Sequence, residues 1–506
     1  MTQLRQWAER VPDAAAVVDA QTGETLTYGA LHLRSARFAL HLIDRGATAG
    51  STIAVLLPNG PRYLEVCWAA RRAGLYFVPL STQLKTAEIA HILGDSGARV
   101  LLTATQFLPL VRDIDKETMR RIGVIDVDAR AEYEAIVDAS GPPPVLPHRP
   151  TGRDFAYSSG TTGVPKGIRH ALDAAASSPV AARDWLAFFQ FGPDTTYLCP
   201  APVYHAAPLR FCLRCIECGG TVVIMRRFDA EAALRAIARW RVTHSQWVPT
   251  MFVRMLALPQ EVRRRHDLSS MRIAVHAAAP CPVHLKRSML AWWGPILWEY
   301  YAGSERNGVT LIAPEEWLRH PGSVGRAVLG RLHIVDDNGD TCAAGVEGSV
   351  YFSGGPSFTY HNDPDKTAAA HNAQGWSTIG DIGYVDPDGY LYLTDRRANM
   401  IISGGVNIYP QEAENCLLAH PLVADVAVIG VPHAEFGEEV RGIVQLHDPS
   451  LASSALALEL MHFCRERLSH VKCPRSIDFD PLLPRTETGK LLKRLVRDRY
   501  RSATAR

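Results

Sequence analysis

Along the first 150 residues, apolar positions switch repeatedly between a helical and an extended rhythm. The pattern predicts an amphipathic helix over 28–44, a short buried strand over 51–57 (STIAVLL), a helix over 61–74 and a strand over 75–79. A helix over 86–96 and a strand over 98–103 complete the stretch. Helices alternating with short apolar strands imply α/β units around a mainly parallel sheet, since each crossover helix covers a sheet face. The Pro-rich segment 140–150, SGPPPVLPHRP, reads as a surface connection.

The α/β rhythm resumes from Ala156 to about Asn307 and then changes. Short alternating runs such as 332–336 and 348–352, within 325–353, predict antiparallel strands. A third texture begins near Asp395, where DRRANMIISGGVNIYP sets a turn cluster before a helical pattern over 411–420. VADVAVIGV, GIVQL and a charged helix follow, enough chain for a small α+β domain of its own. The fold class read from these patterns is α/β: a large N-terminal domain of α/β subdomains with a small β-rich section, then a small α+β C-terminal domain. No internal repeat is visible.

Composition changes this picture little. At 506 residues the chain exceeds what one hydrophobic core usually serves. With 54 Lys and Arg against 52 Asp and Glu, there is no global charge argument for a nucleic-acid partner. The basic run Arg263-Arg264-Arg265 reads as a solvated helix face. The N-terminus lacks a signal-peptide pattern and no window has the apolar length of a membrane span, so a cytoplasmic location is the expectation. Of ten cysteines, Cys212, Cys215 and Cys218 have a metal-like spacing, but no fourth ligand follows shortly. Their spacing places all three on one side of a helix, and they read as small core residues.

The sharpest chemical signal is the run Tyr157 to Gly167. Ser158, Ser159, Thr161 and Thr162 supply hydroxyls, Gly160 and Gly163 let backbone amides approach an anion, and Lys166 adds charge. It is not a Walker A loop, because Pro165 stands where that motif needs its second glycine and Gly167 where it needs Ser or Thr.

SSGTTGVPKG resembles the signature loop of the adenylate-forming superfamily, in its acyl-CoA synthetase branch. Other segments resemble further family motifs in the family's order, over about residues 10 to 495. These are Pro202-Val203-Tyr204-His205, Ala277-Ala278-Ala279-Pro280, Tyr301-Ala302-Gly303-Ser304-Glu305, Thr378-Ile379-Gly380-Asp381, Asp395-Arg396 with Ser403-Gly404-Gly405, and Pro484 to Lys490.

The resemblance implies a ligase that joins a small-molecule carboxylic acid to ATP and then passes the acyl group to coenzyme A. It implies Lys490, Ser304, Glu305 and His205 as catalytic residues, with Glu305 holding Mg²⁺. The phosphate loop, Ala278, Ala279, Tyr301, Asp381 and Arg396 are then the nucleotide site. Ser403, Gly404, Gly405 and Lys472 border the coenzyme A passage, and His205, Ala206, Ala207, His276 and Ala277 line the acid pocket. The implied domains are 1–395 and 400–506, the second of them mobile, about a hinge at 396–399. Two positions depart from the family pattern: Ser304 replaces the usual Thr, and Ala398 stands where relatives carry an acidic or basic pivot.

His205-Ala206-Ala207-Pro208-Leu209 contains no acid to bind a substrate ammonium, so an α-amino acid is not expected. The family's carrier-protein ligases usually carry an insertion early in the C-terminal domain, and its absence between Asp395 and Glu414 favours coenzyme A as acceptor. Small side chains around His205 favour an apolar fatty or bulky ring-bearing acid, with an aromatic acid as the alternative. A non-catalytic nucleotide- or acyl-CoA-binding protein is the alternative of another class, and a homodimer is left open.

Overall fold

The structure is a computed structural model. It describes residues 3–129, 132–158, 165–172, 185–403, 406–433, 435–486 and 491–504.

The largest element is a nine-stranded sheet. Its centre, from Leu297–Ala302 through Ile273–His276, His244–Trp247, Thr196–Cys199 and Thr221–Ile224 to Ala15–Asp19, is parallel throughout. Antiparallel strands finish both edges: Val309–Ile312 and Arg326–Leu329 on one side, Thr25–Thr27 on the other. A second, wholly parallel sheet runs in the order Gly123–Asp126, Val100–Thr103, Thr52–Leu56, Tyr76–Pro79, Arg153–Asp154. The expected α/β alternation is this sheet with its crossover helices.

Local sequence explains the element ends. Helix Tyr28–Asp44 starts where Thr27 accepts a hydrogen bond from the Ala30 amide, and it buries Leu31, Phe38, Ala39 and Leu42. Phe38 is fully buried edge-on to Tyr133, so its truncation to alanine would cost about 3–5 kcal/mol. Helix Thr86–Ser96 stops at Gly97, whose φ of +62° is left-handed, a conformation that costs glycine little. Both helices have the predicted bounds. Strand Ala15–Asp19 escaped prediction, because it pairs with Thr221–Ile224, two hundred residues away in the chain.

The remaining sheets are smaller than the first. Arg331–Val335, Gly348–Ser353, Asp381–Val385 and Leu391–Arg396 form a four-stranded antiparallel sheet, the expected β-rich section. Thr359–Tyr360, Lys166–Arg169 and Ala156–Ser158 form a three-stranded one. Beyond residue 400, Val406–Ile408, Ile401–Ser403, Gly437–Leu446, Val423–His433 and Ser476–Phe479 make a separate sheet. Helices Pro410–Leu418 and Ser454–Arg465 pack on it around a core including Leu417, Val428, Val444 and Leu460.

Cys212 and Cys215 are buried on helix Ala206–Glu217, and burial pushes both thiols well above the usual range. Cys218 is half-buried, and all ten cysteines are free. Among the described residues no helix is long and apolar enough to cross a membrane.

Candidate active site

Strand register builds the first half of the site. Antiparallel pairing sets Asp381 opposite Arg396, and Arg396 Nε donates to Asp381 Oδ1 at 3.0 Å. The other oxygen, Oδ2, accepts from the Tyr301 hydroxyl at 2.6 Å, although Tyr301 belongs to the nine-stranded sheet. Asp381 is buried, and its charge raises the Arg396 guanidinium pKa further. Burial and the same carboxylate push the Tyr301 phenol well up, so it stays a donor at neutral pH. Two acceptor oxygens between a phenol and a guanidinium form a polar cradle suited to a vicinal diol.

Glu305 anchors the second half. It is buried, and its Oε1 accepts from the Tyr360 hydroxyl at 2.9 Å. The carboxylate folds back over Gly303, where an added Cβ would lie 2.7 Å from Oε2 and 2.9 Å from Ile379. A side chain at 303 would therefore have to displace the Glu305 carboxylate and the Ile379 tip. Tyr360 pairs with Ile168 in the three-stranded sheet, which brings Lys166 to the same edge. The Lys366 ammonium sits 4.2 Å from the Tyr360 ring centroid. Burial and the adjacent Lys166 push its pKa down to about 8. Ser304 is half-buried, and its carbonyl lies 3.4 Å from His170 Nε2.

The segment Ala277–Pro280 leaves strand Ile273–His276 at its C-terminal end, the usual place for a ligand in a parallel sheet. Ala277 is buried, whereas Ala278 is exposed with φ of +75° and Ala279 is half-buried. A left-handed alanine is strained by roughly 1–2 kcal/mol and turns the backbone outward at this point.

His276 departs from its expected place on the acid pocket. The side chain is fully buried, edge-on to Phe252, with Nε2 3.3 Å from Glu299 Oε2. Lys286 Nζ, also fully buried, lies 2.6 Å from the same oxygen and 4.7 Å from the Trp317 ring centroid. The imidazole thus faces Glu299 and Phe252 in the core. Burial pushes Glu299 upward, but His276 and Lys286 more than reverse this and hold it at about 2. Burial lowers both Lys286 and His276, and it raises the Cys281 thiol together with the Glu299 charge.

His205 stands at the N-cap of helix Ala206–Glu217, its ring 4.7 Å from that of Tyr204. His205, Ala206 and Ala207 are half-buried together at the start of this helix. One turn on, Arg210 Nη2 donates to the buried Asp154 at 2.7 Å. Burial works against that carboxylate, but Arg210, with Arg153 and Arg306 near, keeps it well below the usual range.

In the C-terminal sheet, Ser403 is buried and paired with Gly437. Lys472 Nζ is held by Glu412 at 2.6 and 2.9 Å. Asp395 accepts from the Gln411 amide at 2.9 Å and from Asn399 Nδ2 at 3.0 Å, tying the chain on both sides of 396–399. Ser159, Gly160, Thr161, Thr162, Gly163, Gly404, Gly405 and Lys490 lie outside the described residues, as do the side chains of Ser158 and Ala398.

Sequence reasoning missed Tyr360, Lys366 and the Lys286–Glu299 pair. Lys286 did leave a signal, since it interrupts the buried stripe Leu285, Met289, Leu290 of helix Val283–Trp293. Tyr360 left none, because its partner Glu305 lies 55 positions earlier, and Lys366 reaches the site only through Tyr360.

The sequence matches the AMP-binding enzyme family over residues 4–359 and the AMP-binding enzyme C-terminal domain over 412–490. It is 35% identical over 501 residues to a feruloyl-CoA synthase of Amycolatopsis sp, covering 97% of each chain. It is 31% identical over 504 residues to the long-chain-fatty-acid–CoA ligase FadD13 of Mycobacterium tuberculosis, covering 99% of this chain and 98% of the relative. The fold superimposes on o-succinylbenzoate CoA synthetase (MenE) from Bacillus subtilis, in complex with its acyl-adenylate intermediate OSB-AMP. That match has a TM-score of 0.82, 27% identity and 98% coverage of both chains. The chain belongs to the AMP-binding enzyme family and is an AMP-forming acid–CoA ligase, with a carboxylic acid, ATP and coenzyme A as its substrates.

Proposed function

We propose that the two half-reactions use the groups described above, on an acid with an apolar acyl body. In the first, a carboxylate oxygen attacks the α-phosphorus of ATP and the bond to pyrophosphate breaks. Both reactants are anions, so the protein must neutralise charge and hold the line of attack. Lys490 bridges the carboxylate and the α-phosphate, Ser304 donates to that phosphate, and the loop from Ser158 to Lys166 grips the departing pyrophosphate. Asp381 takes the ribose hydroxyls, Arg396 holds the Asp381 carboxylate and reaches the same sugar, and the adenine stacks on Tyr301 beside Ala278 and Ala279. The observation that carries this reading is the Tyr301–Asp381–Arg396 cradle beside the buried Glu305.

Magnesium fits the donor set, because Glu305 offers hard carboxylate oxygens that the Tyr360 hydroxyl positions. When bound, Mg²⁺ neutralises phosphate charge.

In the second half-reaction the coenzyme A thiolate attacks the acyl carbonyl and AMP leaves. The part of the chain from 400 onward turns about 396–399, withdrawing the Lys490 loop and presenting Ser403, Gly404 and Gly405 to the pantetheine arm. The small half-buried residues beside His205 support an apolar acyl body. An aromatic acid is the second reading, and the 35% identity to a feruloyl-CoA synthase favours it. Ten free thiols suit a reducing cytoplasm.

The test incubates the protein with ATP, Mg²⁺ and a panel of fatty, ring-bearing and aromatic acids, with and without coenzyme A. Mass spectrometry then scores AMP, acyl-adenylate and acyl-CoA. Acyl-CoA from an apolar acid supports the proposal. Turnover of polar or short acids alone would overturn the substrate class.

A further inference from the structure

Lys366 belongs to none of the motifs that point to the reaction, yet it stands at the Lys166 edge of the site. Its ammonium covers the Tyr360 ring at 4.2 Å, and the Tyr360 hydroxyl donates to Glu305 at 2.9 Å. The backbone fixes this arrangement. Tyr360 is in register with Ile168, and the His361 amide donates to Gly167 O at 2.8 Å, one residue from Lys166. Lys366 is the third residue of a short helix, Pro364–Ala369, whose Asp363 cap accepts from the Lys366 amide at 3.0 Å.

Two lysine ammoniums, Lys166 and Lys366, therefore share one neighbourhood. Like charges so close repel unless an anion lies between or beside them. The two acids whose charge reaches Lys366 each accept a hydrogen bond elsewhere, Glu305 from the Tyr360 hydroxyl and Asp363 from the Lys366 amide, and their attraction is outweighed by burial and by Lys166.

We infer that Lys366 is a phosphate-binding residue of the adenylation step, pairing with Lys166 on the β- and γ-phosphates of ATP and on the pyrophosphate that leaves. This rests on the reading that Lys166 serves the phosphates. Lys366 keeps its place through the Tyr360 ring, so the second cation is ready before the nucleotide arrives.

The experiment is calorimetric titration of the full chain with magnesium pyrophosphate, and separately with AMP, for wild type, Lys366→Ala and Lys366→Arg. For Lys366→Ala, pyrophosphate affinity is expected to fall about tenfold or more, as for a lost charge-assisted contact, with AMP affinity and melting temperature unchanged. Lys366→Arg is expected to recover most of the loss. Equal pyrophosphate binding by wild type and Lys366→Ala would overturn the inference. So would equal losses for AMP and pyrophosphate, since that pattern marks a structural role. A wild-type chain that binds neither AMP nor pyrophosphate would instead overturn the nucleotide-site reading itself.

Discussion

The Tyr301 hydroxyl donates to Asp381 Oδ2 across two different sheets, at 2.6 Å. With Arg396 on the other oxygen, the carboxylate is aimed before any nucleotide is present. Asp381→Asn should keep the shape but lose the charge that both partners answer to. The expected result is a KM for ATP raised about 10- to 100-fold, with a smaller effect on kcat. Steady-state kinetics check this, and an unchanged KM for ATP would remove Asp381 from the ribose site.

Lys490→Ala should separate chemistry from binding. Loss of a positioned charge at the developing pentavalent centre is expected to slow adenylation by about 10²–10³-fold. The melting temperature and ATP affinity should stay near wild type. Single-turnover formation of acyl-adenylate is the measurement, and a rate within about threefold of wild type would assign the role elsewhere.

The buried Lys286–Glu299 pair supports the strand that carries Tyr301. Lys286→Met takes the ammonium from the buried Glu299 and leaves only the His276 imidazole beside that oxygen, at an expected cost of about 3–5 kcal/mol. The double variant Lys286→Met, Glu299→Leu should regain much of that stability. Urea unfolding distinguishes the two, and a double variant no better than the single one would contradict the pairing.

The same cluster sets an acid limit. Glu299 sits at about 2 in the fold, below its ordinary value, so its contribution is complete above about pH 5 and is lost as pH falls toward 2. The lowered His276 acts in the same sense, because the unfolded chain takes up that proton more readily as pH drops through about 6.5. Melting temperature should therefore fall between pH 7 and pH 3, and less steeply below pH 5 in Glu299→Gln. Parallel curves would show that other groups dominate.

Ala278 offers a test of backbone strain. Ala278→Val, with a branched Cβ at φ of +75°, should destabilise by about 1–3 kcal/mol and weaken ATP binding. Ala278→Gly relieves the strain while loosening the unfolded chain, so its net effect should stay within about 1 kcal/mol. Thermal unfolding and KM for ATP measure both.

What the sequence made legible were elements whose cause is local. Helices Tyr28–Asp44 and Thr86–Ser96 follow from apolar spacing and end residues in their own segments. Asp381 and Arg396 could be named from motifs, but that they face each other depends on a register that only the folded sheet defines. His276 shows the converse. Its place in the motif order suggested a pocket wall, whereas the ring lies fully buried against Phe252 and Glu299. Lys366 reaches the site through Tyr360, whose hydroxyl meets a residue 55 positions earlier. No periodicity encodes such a contact.

An acyl-adenylate is an aggressive acylating agent, and this chain makes one amid ten thiols of its own. Only a thiolate attacks efficiently, and burial keeps Cys67, Cys212 and Cys215 protonated at neutral pH. Cys281, one residue beyond Pro280, is held as a thiol by burial and by the Glu299 charge. Burial thus makes these four thiols poorer nucleophiles toward an activated acid than a thiol in water would be.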